Sequence, residues 1–136
     1  MTFYDITDGD RQLIQEALAK LRQCYIEGSY HHIVGSAIQC RDGRVFSGVN
    51  CDCIHGSCAE FITIGMAISA GERDFDTIVA VHEHAPNYVV APCGNCRQML
   101  FEYSPGIKVI LNDDEGNLVK VGIGDLLPFA YREILV

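Results

Sequence analysis

In the stretch APCGNCRQML, Cys93 and Cys96 stand three residues apart behind Pro92. A third cysteine, Cys58, opens the segment CAEFITIGMAISAG, and Glu60 follows two residues later. Both segments read as helices, so all three thiols fall in first helical turns. Free N–H groups and the helix dipole favour thiolate there. Two strand–helix units in one sheet can aim both helix starts at one spot, bringing three thiolates together. Three protein ligands are the donor set of a catalytic zinc, because the fourth position stays open for water. Glu60 shares a helical turn with Cys58. It can reach such a water, take its proton and pass it to a leaving group.

Parts of this set fit other chemistries. Cys93 and Cys96 alone have the spacing of a thiol redox pair. A structural zinc knot would draw a fourth ligand from Cys51, Cys53, His55, His82 or His84. Such a knot has no use for Glu60, although an acid at a helix start can also simply stabilise the dipole.

The composition narrows the class. Eighteen acidic residues against ten basic ones give a formal net charge of -8, which argues against a protein built to grip phosphate backbones. A small neutral or cationic molecule suits it better, and no nucleic-acid partner is expected. The opening MTFYDITDGD is acidic and polar, without the pattern of an export signal, and no apolar run is long enough to span a bilayer. The seven cysteines are therefore expected in a reducing compartment, the cytoplasm, and their odd count does not suit a closed disulfide framework. Cys24 and Cys40 read as core residues, and Cys51 and Cys53 as small buried hydrophobes.

The elements that must hold the site follow from patterning. Leu13, Ile14, Ala17, Leu18 and Leu21 recur at helical spacing, so roughly residues 9–27 form an amphipathic helix. IVGSAIQC and RVFSGV flank Asp42-Gly43 as a β-hairpin. NCDCIHGS is a loop. CAEFITIGMAISAG is a helix apolar nearly all round, expected buried and closed by Gly71. DTIVAVHE is a strand, PCGNCRQMLFEY a helix with Pro92 near its first turn, IKVILND and LVKVG two further strands, and IGDLLPFAY a last helical turn. The five strands alternate with helices, which implies an α/β domain over residues 1–136 with a mixed sheet flanked by helices.

Cys-Ala-Glu followed by Pro-Cys-x-x-Cys is the zinc nucleoside deaminase signature, in its all-cysteine form. With VGSA at 34–37, GVN at 48–50, PGIKVI at 105–110 and LLPFAY at 126–131, the chain resembles the cytidine deaminase family, and within it the blasticidin-S deaminase branch. The resemblance implies a three-layer fold, one zinc ion per chain held by Cys58, Cys93 and Cys96, and Glu60 as proton shuttle. It implies hydrolytic removal of the 4-amino group from a free cytosine nucleoside or an analogue, as in pyrimidine salvage or antibiotic inactivation. It places the Ala59 N–H on the pyrimidine carbonyl edge and Asn50 on a ribose hydroxyl. Asp52 stands where the family has a glutamate sharing that contact. His32 stands near a base-stacking phenylalanine. Tyr131 falls where an aromatic often reaches a neighbouring subunit's pocket, within a homotetramer.

The sequence departs from that pattern in two places. The loop from Asn50 to Cys58 is short for a cytidine deaminase. Phe61 follows Cys-Ala-Glu where three-cysteine cytidine deaminases carry arginine. Zinc with three thiolates has net charge -1, so something must offset it. Besides the helix dipoles, the Arg97 or Asn95 side chain is expected to hydrogen-bond a ligand sulfur.

Overall fold

The chain enters the sheet earlier than its sequence suggests. In the computed structural model, which describes residues 1–133, the first element is a two-residue strand, β1 (Phe3–Tyr4). It is followed by α1 (Asp8–Cys24), β2 (Val34–Cys40), β3 (Val45–Val49), α2 (Ala59–Ser69), β4 (Phe75–His82), α3 (Gly94–Tyr103), β5 (Lys108–Asn112) and β6 (Leu118–Gly122). A 3-10 turn, Ile123–Leu126, closes the series. The strands form one mixed sheet in the order β1-β6-β5-β4-β2-β3, so it has six strands rather than five. The extra strand has only two residues, paired to β6 through Phe3–Val121 and Tyr4–Lys120, too short for any periodicity to mark it.

Residues alternate between the two faces of the sheet. Ala37, Val79 and Ile110 point to α1, where Leu13, Ala17, Leu18 and Leu21 cover them. Their neighbours Ile38, Ile78 and Val109 point the other way, under Ile64 and Ala67 of α2 and Met99 and Leu100 of α3. The result is three layers: α1, sheet, α2 with α3. At Gly35 the α1 layer lies so close that a Cβ would meet the Ala17 carbonyl oxygen at 2.6 Å and the Leu21 Cβ at 2.9 Å, so only glycine fits.

A buried ion pair ties α1 to the far side of the sheet. Thr7 caps the helix, accepting from the Asp10 N–H at 3.1 Å while its own N–H donates to Asp10 Oδ2 at 2.9 Å. The same Oδ2 receives Lys120 Nζ at 2.6 Å, both side chains being under one-tenth exposed.

Strand direction positions the site. β3 is antiparallel to β2, and β2 to β4, so β3 and β4 run the same way. Each is followed by a helix on the same face, so α2 and α3 both begin at one end of the sheet. α2 is less enclosed than its composition suggests. Glu60, Thr63, Ile64 and Ala67 are buried, but Met66 is 43% exposed and Phe61, Ile62 and Ile68 are half-covered.

Candidate active site

Cys58 and Cys93 are the N-cap residues of α2 and α3, and Cys96 sits in the first turn of α3. Both caps have extended backbone and neither side chain bonds back to its own helix, which leaves the thiols free for another partner. Segment 89–93 brings the second cap into place. Val89 bridges to Val81 and the Val90 N–H donates to the Ala80 carbonyl at 2.8 Å, so the chain returns along β4 before α3 starts.

The three sulfurs lie within 4.8 Å of one another, and Cys58 Sγ is 3.9 Å from Cys93 Sγ. That is far too long for a disulfide. Two sulfurs bound at about 2.3 Å to one tetrahedral zinc stand about 3.8 Å apart, so the spacing fits that ion. The electrostatics point the same way. Burial above all pushes the Cys58 and Cys96 thiols upward from the ordinary value, and the Glu60 carboxylate adds to it. Burial pushes Cys93 upward too, but the polar influence of the nearby Cys96 and Asn95 backbone N–H groups and of the neighbouring thiols outweighs it, and its pKa is lowered. Three sulfurs crowded together can all ionise only if a cation compensates them. The residues present could therefore hold zinc.

Glu60 is 6% exposed. Burial raises its carboxyl pKa, against hydrogen bonds from its own backbone N–H and the Cys96 thiol. It nevertheless lines a cleft of about 490 Å³ together with Asn50, Asp52, Cys58, Ala59 and Cys93. A buried carboxyl with a raised pKa at the floor of a cleft is suited to moving protons.

Of the other sequence candidates, Ala59 is fully buried and opens α2, ahead of the first bonds to the Cys58 carbonyl, from the Phe61 and Ile62 N–H groups. Asn50 follows directly on β3, its Oδ1 accepting from the Ile33 and Val34 N–H groups at 2.8 and 2.9 Å. Asp52 lies exposed on the cleft wall. His32 and Tyr131 do not line the cleft. His32 turns its Nδ1 to the Asn50 carbonyl oxygen at 2.9 Å. Tyr131 is 70% exposed, its carbonyl held by Gln98 Nε2 at 3.0 Å.

Two expectations fail here. Cys51 and Cys53 are exposed wall residues, not buried ones. Their loop folds on itself: Cys51 and Ser57 exchange backbone hydrogen bonds at 2.9 and 2.8 Å, and Gly56, at φ 58°, donates its N–H to Cys53 Sγ at 3.2 Å. Nor does Arg97 meet a sulfur. Its Nε donates to the Pro92 carbonyl at 2.7 Å and its Nη1 to the Leu126 carbonyl at 3.1 Å. What lowers the Cys93 pKa against its burial is instead the backbone N–H groups of Cys96 and Asn95 together with the neighbouring thiols. His55, Ser57, Val90 and Ala91 also line the cleft. The apolar run before Pro92 was the one sequence signal for the last two.

Comparison with known proteins agrees with this geometry. Residues 7–111 match the cytidine and deoxycytidylate deaminase zinc-binding region. Among curated proteins, a blasticidin-S deaminase of Bacillus cereus is 37% identical, over 96% of this chain and 98% of that protein. A cytidine deaminase of Halalkalibacterium halodurans is 35% identical, over 90% and 94%. Among solved structures, the cytidine deaminase from Burkholderia pseudomallei superposes with a TM-score of 0.75 at 34% identity, over 93% of this chain and all of that one. With three sulfurs at two helix starts, a buried glutamate beside them and the matched region spanning both, the chain belongs to the cytidine and deoxycytidylate deaminase family.

Proposed function

We propose that the protein hydrolytically removes the 4-amino group of cytosine in a free nucleoside, giving the uracil form and ammonia. The observation that carries this is the juxtaposition of Cys58, Cys93 and Cys96 with buried Glu60 at the floor of an open cleft. Zinc, when bound by the three sulfurs, supplies a water acidified toward neutral pH. Glu60 takes the first proton of that water and delivers it to ring N3, then takes the second, from the hydroxyl added at C4, and passes it to the amine as the C4–N bond breaks. The Ala59 N–H, at the positive end of α2, meets the pyrimidine carbonyl oxygen. The Asn50 side chain takes a sugar hydroxyl, with Asp52 beside it on the wall.

The cleft favours a nucleoside over a nucleotide or a strand. Its lining includes the carboxylates of Asp52 and Glu60 and neither lysine nor arginine, so a phosphate would meet repulsion with no lysine or arginine to offset it. A second copy of the chain fits the outward stripe of α2, with Met66 exposed, and the exposed rings of Phe129 and Tyr131. A homotetramer in which Tyr131 closes a neighbour's cleft accommodates all three. Seven free cysteines suit the reducing cytoplasm. Among the described residues, no helix is long and apolar enough to cross a membrane.

One residue favours a second reading, blasticidin-S inactivation. Phe61 occupies the place of the arginine usual in three-cysteine cytidine deaminases, and the Bacillus cereus relative carries that activity in its name. The test is a paired assay of the zinc-loaded protein on cytidine and on blasticidin S, followed by loss of the aminopyrimidine absorbance. Turnover of cytidine supports the main reading. Turnover of blasticidin S alone replaces it with the second, and inertness toward both, with zinc in place, overturns both.

A further inference from the structure

We propose that His32 is a positioning residue that fixes the amide of Asn50 for the sugar of the substrate; this rests on the nucleoside reading above. Four hydrogen bonds grip Asn50, all from residues 32–34. The His32 Nδ1 lies 2.9 Å from the Asn50 carbonyl oxygen. The Ile33 and Val34 N–H groups donate to Asn50 Oδ1 at 2.8 and 2.9 Å. The Asn50 N–H donates to the Val34 carbonyl at 3.1 Å.

This pattern fixes the chemistry of each group. Two N–H donors can be met only by an oxygen, so the Asn50 amide is oriented with Oδ1 toward the backbone. Nδ2 is left as its free polar group, and Asn50 lines the cleft. The side chain therefore offers a hydroxyl two N–H donors and no acceptor. A carbonyl oxygen only accepts, so His32 carries its proton on Nδ1.

Three of the four bonds use only backbone groups of residues 33 and 34 and persist whatever side chains stand at 32–34. The His32 bond is the one a substitution can remove. It also acts where control is weakest. Asn50 is the first residue beyond β3, and its carbonyl belongs to the peptide leading into Cys51 and the folded loop of the cleft wall. Without His32 that peptide can rotate, and the Nδ2 donors move with the residue.

The experiment compares wild type, His32→Ala and His32→Asn, each zinc-loaded, on cytidine and on 2′,3′-dideoxycytidine. Asparagine places an N–H donor close to the position of Nδ1. In His32→Ala, KM for cytidine rises about three- to tenfold, the worth of one hydrogen bond, with kcat nearly unchanged. KM for dideoxycytidine, which lacks the 2′ and 3′ hydroxyls, barely moves, and His32→Asn recovers most of the cytidine loss. An equal loss on both nucleosides, a fall in kcat with unchanged KM, or no recovery in His32→Asn overturns the assignment. Inactive wild type overturns the nucleoside reading instead. Nitrogen-15 spectra of the zinc-loaded protein then decide on His32: protonated Nδ1, with Asn50 amide signals that shift in His32→Ala and return in His32→Asn, supports it, and unprotonated Nδ1 refutes it.

Discussion

Glutamine in place of Glu60 should separate activity from stability, and move them in opposite directions. Glu60→Gln keeps the size of the side chain and its place at the start of α2, but glutamine cannot carry a proton between water, ring nitrogen and amine. One positioned proton transfer contributes roughly 10²–10⁴-fold, and Glu60 serves more than one. The expected loss in kcat is therefore at least about 10³-fold, or about 4 kcal/mol of transition-state stabilisation. Zinc content should stay at the wild-type level, because the sulfurs are untouched.

Stability should behave differently. Burial raises the Glu60 pKa, so the folded protein holds this carboxylate less comfortably than water does. A bound zinc with three thiolates, net -1, adds to that penalty. For a group whose folded pKa is raised, the stabilising contribution is complete below the unfolded value and is lost as pH rises through the folded value. Neutral glutamine escapes this loss. The melting temperature of zinc-loaded Glu60→Gln should equal or exceed that of wild type at neutral pH, and the difference should shrink as pH falls across the range in which zinc stays bound. Steady-state kinetics, metal analysis and thermal melts across pH give all three readouts. A kcat within about tenfold of wild type, or a neutral-pH melting temperature well below it at equal zinc content, would refute the reasoning.

Three further outcomes follow from contacts already described. Cys93→Ala should lose most of its zinc, read by metal analysis after dialysis, because only two of the three sulfurs remain to hold it. Arg97→Lys removes the fork that holds both the Pro92 and Leu126 carbonyls, so zinc transfer to a chelator should quicken by about tenfold or more, as for other residues that orient ligands. Lys120→Met strands the buried Asp10 carboxylate, at a cost of about 3 kcal/mol. For a chain of this length that lowers the melting temperature by about 10 °C, with kcat unchanged at temperatures where the variant is folded.

The zinc cluster was legible in the sequence because its chemistry is local. Cys58 and Glu60 share one helical turn and Cys93 and Cys96 another, so spacing alone put each pair on one spot. The alternation of long strands and helices likewise announced the mixed sheet. The parts that could not be read depend on contacts remote in sequence. β1 has two residues and exists only because β6 offers an edge. The exposure of Cys51 and Cys53 follows from a loop closing on itself between Cys51 and Ser57. The Met66 stripe is as apolar as the buried side of α2, and only the finite width of the sheet beneath decides which side is covered.

Arg97 shows how charge and geometry divide the work at such a site. Three thiolates call for a cation to offset them, and Arg97 is the charge in the right helical turn. In the fold its guanidinium spends its donors on the Pro92 and Leu126 carbonyl oxygens, while peptide N–H groups at the start of α3 lower the Cys93 pKa. A full charge on a long side chain can be placed in several ways, and the first to satisfy its planar fork wins. Peptide dipoles at a helix start have no such freedom, since backbone geometry aims them at the cap residue. Their partial charges offset the thiolates less completely than an arginine on sulfur would. With Phe61 following Glu60, the site therefore leaves more electron density on its sulfurs than one with arginine in that position, and relies the more on burial to raise the Glu60 pKa.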